Sequence, residues 1–155
     1  MLLQDIFQPG FIKVNLEATD KNKAFEELAD YFCRAGNVNI RKEILIALKD
    51  REAKMSTGIQ KGIAIPHGKT SAVDSICGAV GISRSGVDYD ALDGEPVYLL
   101  FMIVTPQNDS EANLRILKRL AGLIENQKFF TDILTQKDAQ GVFDIICQYE
   151  NELTL

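Results

Sequence analysis

Tryptophan is absent from this 155-residue chain, and histidine occurs once, as His67. Cysteine is scarce as well: Cys33, Cys77 and Cys147 are odd in number and far apart. That spacing encodes neither a disulfide framework nor a zinc ribbon, and a single histidine cannot complete a metal-ligand cluster around such scattered thiols. No metal and no other cofactor is therefore expected. A chain of this length buries enough surface to fold without either. Basic charge is also short, with 17 Lys and Arg against 22 Asp and Glu and a net charge of -5. A nucleic-acid or anionic-membrane face needs the opposite balance, so neither partner is expected. Long apolar runs are missing too: the longest, Val97 to Val104, falls far short of the roughly 18 residues a membrane span requires, so no membrane insertion is expected. The opening MLLQDIF holds an acidic Asp5 and no basic segment, unlike a signal peptide. A reducing, cytoplasmic setting is the expectation.

What is present is hydrophobic periodicity. No low-complexity tract, Pro/Ser-rich linker or repeat interrupts it, so one domain over residues 1–155 is expected. Leu2 to Gln8 reads as a short helix stopped by Pro9-Gly10, and Phe11 to Leu16 as a half-buried strand. Thr19 or Asp20 caps a helix that carries Ala24, Phe25, Leu28, Tyr31 and Phe32, with Gly36 as its stop. A further helix fits Ile40 to about Lys54, burying Ile44, Leu45 and Leu48. Three strands follow: Ile63 to Ile65, Ile76 to Ile82, and Val97 to Val104, the last apolar on both faces and so central. From Ser110 the helical period returns with a stripe of Leu114, Leu117, Leu120, Leu123 and Ile124; Phe129 to Leu134 and Ala139 to Tyr149 give two more helices. The sum is an α/β layer fold, a buried sheet flanked by helices.

His67 is the residue that carries chemistry. It follows Ile63-Ala64-Ile65-Pro66, a buried strand that Pro66 should end, and precedes Gly68-Lys69-Thr70. With no side chain at Gly68, a partner has room to reach the imidazole. Gly68-Lys69-Thr70 imitates the end of a phosphate-binding P-loop, but the glycine that motif needs five residues earlier is Ile63. Cys77 and Cys147 lie in apolar periodic segments and read as buried structural thiols, not nucleophiles. His67 remains, as a general base or as a nucleophile that holds a phosphoryl group as a phosphoramidate. Such a site needs backbone N–H groups, which Gly58, Gly62 and Gly68 can offer, and a cation, for which Arg51 and Lys69 are candidates.

The stretches Arg51-Glu52-Ala53, Ser56-Thr57-Gly58-Ile59 and Gly62-Ile63-Ala64-Ile65-Pro66-His67-Gly68-Lys69 together resemble a family signature. It is that of the type-2 EIIA domains, the mannitol/fructose/nitrogen-regulatory class of the bacterial phosphoenolpyruvate-dependent phosphotransferase system. The resemblance runs from Leu2 to about Glu150, through Asp93-Gly94-Glu95-Pro96-Val97 and the leucine-rich helix from Asn113. It implies a mixed sheet of about five strands sandwiched between helices. It further implies that His67 accepts a phosphoryl group from a phosphohistidine of the small carrier HPr, or of its nitrogen-branch paralogue. Arg51 matches the family arginine that steadies the phosphoryl group or a partner carboxylate, and Ser56 and Thr57 match its hydroxyl pair near the site. One position departs: many transport members carry a second histidine where Asn113 stands here, and asparagine donates a hydrogen bond but does not titrate. Two functions follow from the resemblance. One is a carrier that passes phosphate to a cysteine of a sugar-specific EIIB domain; the other is a regulator whose phosphorylation state controls binding to its target protein.

Overall fold

The apolar run in the second half of the chain forms the strand around which the other elements are arranged. In the computed structural model, which describes residues 1–154, this run belongs to strand β6 (Val97–Pro106). Its side chains alternate across the sheet. Leu99, Phe101 and Ile103 enter one apolar layer, Leu100, Met102 and Val104 the other, and all six are fully buried. Burial on both faces explains the unbroken apolar run.

Six strands and six helices make up the described residues: α1 (Leu3–Ile6), β1 (Ile12–Lys13), α2 (Lys21–Gly36), α3 (Arg41–Glu52), β2 (Gly58–Gln60), β3 (Ile63–Ala64), β4 (His67–Thr70), β5 (Cys77–Val87), β6, α4 (Ser110–Ile124), α5 (Gln127–Leu134) and α6 (Ala139–Asn151). The sheet is mixed, in the order β1-β5-β6-β3-β2, with β4 also on β6. Pairs β5–β6 and β2–β3 are antiparallel; β1–β5, β3–β6 and β4–β6 are parallel. Helices α1, α4, α5 and α6 cover one face, where Phe101 packs between Phe7 and Phe129 with ring centroids 5.5 and 6.3 Å away. Helices α2 and α3 cover the other through Phe25, Leu28, Ile44 and Leu48. No helix among the described residues is long and apolar enough to cross a membrane.

Strands β3 and β4 lie end to end along one edge of β6 in a single register. Ile63 faces Leu99 and Ala64 faces Leu100; after a break at Ile65-Pro66, His67 faces Ile103 and Gly68 faces Val104. His67 therefore opens a strand, where the sequence pattern had it following a strand's end.

Three other expectations shift. Asp20, one of the two cap candidates, accepts the Lys23 N–H, but α2 runs through Gly36 and it is Asn37 that takes the left-handed conformation (φ 53°). The first strand shrinks to Ile12–Lys13: Phe11 is drawn into a 3-10 turn with Pro9 and Gly10, and the ladder ends before Val14. Leu114, expected in the buried stripe of α4, is 69% exposed; the buried arc is Ile116, Leu120, Leu123 and Ile124.

Candidate active site

The break between β3 and β4 sets the state of the histidine. Pro66 has no N–H to donate, though its carbonyl still accepts from the Ile103 N–H (2.9 Å). Ile65 uses its polar groups elsewhere: its N–H donates to the Thr57 carbonyl (3.0 Å), and its own carbonyl lies 2.7 Å from His67 Nδ1. A carbonyl only accepts, so Nδ1 carries the proton and Nε2 keeps the lone pair. Burial holds the imidazole below its ordinary value of 6.5; the bond to Ile65 opposes that shift, the Arg51 charge adds to it and the Glu52 charge opposes it. The ring is neutral at pH 7, the form a nucleophile needs.

His67 lines a pocket of about 430 Å³ shared by three elements. The end of α3 and the turn after it bring Asp50, Arg51 and Lys54; β4 brings Gly68 and Lys69; the start of α4 brings Asn113, with Gln107 on the connecting turn. Three cations thus surround the imidazole against one carboxylate, an arrangement that favours an anion. Arg51 donates Nη1–H to the Met55 carbonyl (2.9 Å), and Lys69 donates to Ser110 Oγ (2.8 Å). Thr105, fully buried on β6, donates its hydroxyl to Asn113 Oδ1 (3.2 Å), which leaves the Nδ2 group of Asn113 as the free donor. Asn113 does not cap its helix. That task falls to Asp109, which accepts the Ala112 N–H at 3.1 Å.

Gly68 serves a different purpose from the one read in the sequence. A Cβ on it would lie 2.4 Å from the Ala47 carbonyl oxygen, so its bareness admits helix α3, not a docking partner. Ser56 and Thr57 stand outside the pocket lining. Ser56 Oγ accepts the Gly58 N–H (3.2 Å), and the buried Thr57 hydroxyl is bonded to Glu52 and Tyr89. Lys54, Asp50 and Gln107 are additions. Lys54 lies on the turn beyond α3 and Asp50 is adjacent to Arg51, so neither helical spacing nor the residue type marked them, and Gln107 carries no signal in the sequence either. Three exposed apolar residues are sequence neighbours of pocket-lining ones: Ile46 next to Ala47, Met55 next to Lys54 and Leu114 next to Asn113, at 50, 58 and 69% exposure. Cys77 and Cys147 are poor nucleophiles, since burial pushes Cys77 up to about 11 and also raises Cys147.

Residues 5–149 match the family described as the phosphoenolpyruvate-dependent sugar phosphotransferase system, EIIA 2. The chain is 35% identical over 150 residues to the fructose-specific EIIABC component of Bacillus subtilis (strain 168), matching 97% of this chain but only 24% of that protein's length. It is 38% identical to the fructose-specific EIIA component of Haloferax volcanii over 83% of both chains. Among solved structures, the nitrogen regulatory protein IIA-Ntr of Neisseria meningitidis superposes with a TM-score of 0.85 at 30% identity, covering 93% of this chain and 98% of that one. The mannitol enzyme IIA of Escherichia coli, solved in complex with phosphorylated enzyme IIB, shares the fold with a TM-score of 0.75 at 17% identity, over 92% of this chain and 99% of that one.

Proposed function

This chain belongs to the EIIA 2 family of the phosphoenolpyruvate-dependent sugar phosphotransferase system, and we propose that it is a phosphoryl carrier in which Nε2 of His67 is the acceptor. The donor is a phosphohistidine of HPr or of its nitrogen-branch paralogue. As the lone pair of Nε2 attacks phosphorus, the donor's P–N bond breaks and its electron pair returns to the donor imidazole. In the second transfer the P–N bond on His67 breaks as a cysteine thiolate of an EIIB domain attacks, which is the transport arm of the fructose and mannitol class. The observation that carries this reading is the 2.7 Å bond that commits Nδ1–H to Ile65 and leaves Nε2 nucleophilic in a pocket lined by Arg51, Lys54 and Lys69. Arg51 and the Asn113 amide are the groups suited to the phosphoryl oxygens, with Lys69 adding charge at the rim. The exposed Ile46, Met55 and Leu114, each next in sequence to a pocket-lining residue, are candidates for the small apolar contact that a transient partner needs.

A second reading, in which phosphorylation of His67 controls binding to a regulated protein, is favoured by the likeness to IIA-Ntr over nearly the whole chain. One assay addresses both. The chain is incubated with radiolabelled phosphoenolpyruvate, Enzyme I and HPr, then challenged with EIIB proteins. Wild type should acquire an acid-labile, base-stable label and His67→Ala none, although its fold is retained. Label persisting in His67→Ala overturns the assignment. Release of the label to an EIIB favours transport; label that no EIIB accepts favours regulation.

A further inference from the structure

The carboxylate of Glu52 is only 7% exposed, yet it lies outside the pocket that holds His67. Three donors from two parts of the chain converge on it, and Tyr89 joins them through Thr57. Oε2 accepts from the Thr57 N–H (2.8 Å) and from Lys21 Nζ on α2 (3.3 Å). Oε1 accepts from the Thr57 hydroxyl (2.6 Å) and lies 3.4 Å from the hydroxyl of Tyr89. The Thr57 and Tyr89 oxygens are themselves 2.6 Å apart, which gives a directed relay: Tyr89 donates to Thr57, and Thr57 donates to the carboxylate. Tyr89 is fully buried, so its hydroxyl has no solvent alternative. Glu52 therefore ties residues 53–57, the turn between α3 and β2, to the core.

The same turn is held at a second point by the preceding residue. Arg51 donates to the carbonyl of Met55, in the middle of the turn, while lining the pocket with His67; Lys54, on the turn itself, lines that pocket as well. Arg51 and Glu52 are consecutive, so their side chains leave the helix about 100° apart and hold one short segment at two points, Met55 and Thr57. We propose that Glu52 is a positioning residue for phosphoryl acceptance: its buried hydrogen-bond cluster fixes the 53–57 turn, and through that turn the place of the Arg51 guanidinium beside His67. This rests on the reading of His67 as acceptor. Glu52 touches no reacting atom; its charge acts on the protonation of His67, and its positioning effect on transfer runs through Arg51.

The Glu52→Gln variant tests this, since an amide retains an acceptor for the Thr57 N–H and a donor for its hydroxyl while losing the charge that gathers the cluster. Measured with phospho-HPr as donor, at a temperature where circular dichroism finds it folded, the variant should take up phosphate roughly tenfold more slowly at saturating donor, with KM changed less than about twofold. Because the positioning effect works through Arg51, the double variant Arg51→Ala/Glu52→Gln should be no slower than Arg51→Ala alone at a pH where His67 is neutral in each variant. A wild-type rate in Glu52→Gln, or multiplied losses in the double variant, overturns the proposal. If Glu52→Gln does not fold, Thr57→Val cuts the relay without altering charge, and the same two comparisons apply. The Arg51 Nη1–H resonance, from the group bonded to the Met55 carbonyl, separates this proposal from the functional one. It should be sharp and slow to exchange in wild type and broadened in Glu52→Gln whether or not the chain takes up phosphate; an unchanged resonance counts against Glu52, whereas an unlabelled wild type counts against His67.

Discussion

At the scale of single residues, the chemistry of the site depends on which form of one imidazole is present. Nε2 attacks only when the ring is neutral, and burial keeps the proton off below the usual pH. Phosphoryl uptake should therefore decline with acid around a midpoint below 6.5, as His67 protonates. Stability follows the same ring. The unfolded chain binds a proton there near 6.5, while the folded chain resists until lower pH, so the contribution of His67 is complete above 6.5 and is lost as pH falls through the lower folded value. As the chain has one histidine, proton NMR follows its titration without assignment. The midpoint should lie below 6.5 and move up in Arg51→Ala, which removes a nearby positive charge; a midpoint at or above 6.5 in wild type would contradict the burial argument. The sequence carried His67 and Arg51 because the chemistry stands in the residue types and their spacing. It did not carry the separate tasks of Ser56 and Thr57, since the partners that engage the Thr57 hydroxyl, Glu52 and Tyr89, come together only in the folded chain.

At the scale of elements, the contact between α3 and β4 sets the geometry of the pocket. Gly68 lies against the Ala47 carbonyl so closely that Gly68→Ala cannot be relieved by trimming a side chain; the helix backbone itself has to move. Overpacking of this kind costs about 1–3 kcal/mol. Because α3 carries Arg51 toward its end, uptake should fall together with stability. Ala47→Gly in the same chain should rescue neither, since the obstructing atom is a carbonyl oxygen. Urea denaturation and uptake rates check both parts, and a Gly68→Ala chain of wild-type stability would refute the packing argument. The same contact explains what the sequence concealed. Strand β6 and helices α2, α3, α5 and α6 were legible because each records its burial in its own periodicity. The segment His67-Gly68-Lys69-Thr70 has no apolar alternation; it becomes a strand because β6 offers a ladder on one side and α3 covers it. In α4 the leucine pattern continues past the buried arc, so Leu114 matched the period and yet stands in solvent.

At the scale of the whole molecule, the fold has to hold a short amino-terminal segment whose strand contributes only Ile12 and Lys13 to the sheet. A ladder that brief is weak, and the exposed ion pair Arg41–Asp30 adds little anywhere on the surface. The restraint comes instead from the far end of the chain. Glu150 on α6, with 1% of its side chain exposed, accepts the N–H groups of Leu3 and Gln4 at the start of α1, the Gln4 side-chain amide at 3.0 Å and Arg119 Nε from α4 at 2.9 Å. One buried carboxylate thus joins three helices on the sheet face away from α3. Removing it strands two backbone donors and a partly buried guanidinium, for which a loss of about 3–5 kcal/mol is the usual scale. In a chain of this size Glu150→Ala should lower Tm by roughly 10 °C. Glu150→Gln should lose less, because its amide oxygen still accepts from the α1 backbone. Since the cluster lies across the sheet from Arg51 and its turn, uptake by His67 should stay within about twofold of wild type at temperatures where the variants are folded. Calorimetry and the phosphoryl assay on both variants decide it: an unchanged Tm would leave the amino terminus held by its apolar contacts alone, and a collapse of uptake in folded Glu150→Ala would mean that the two faces of the sheet are coupled.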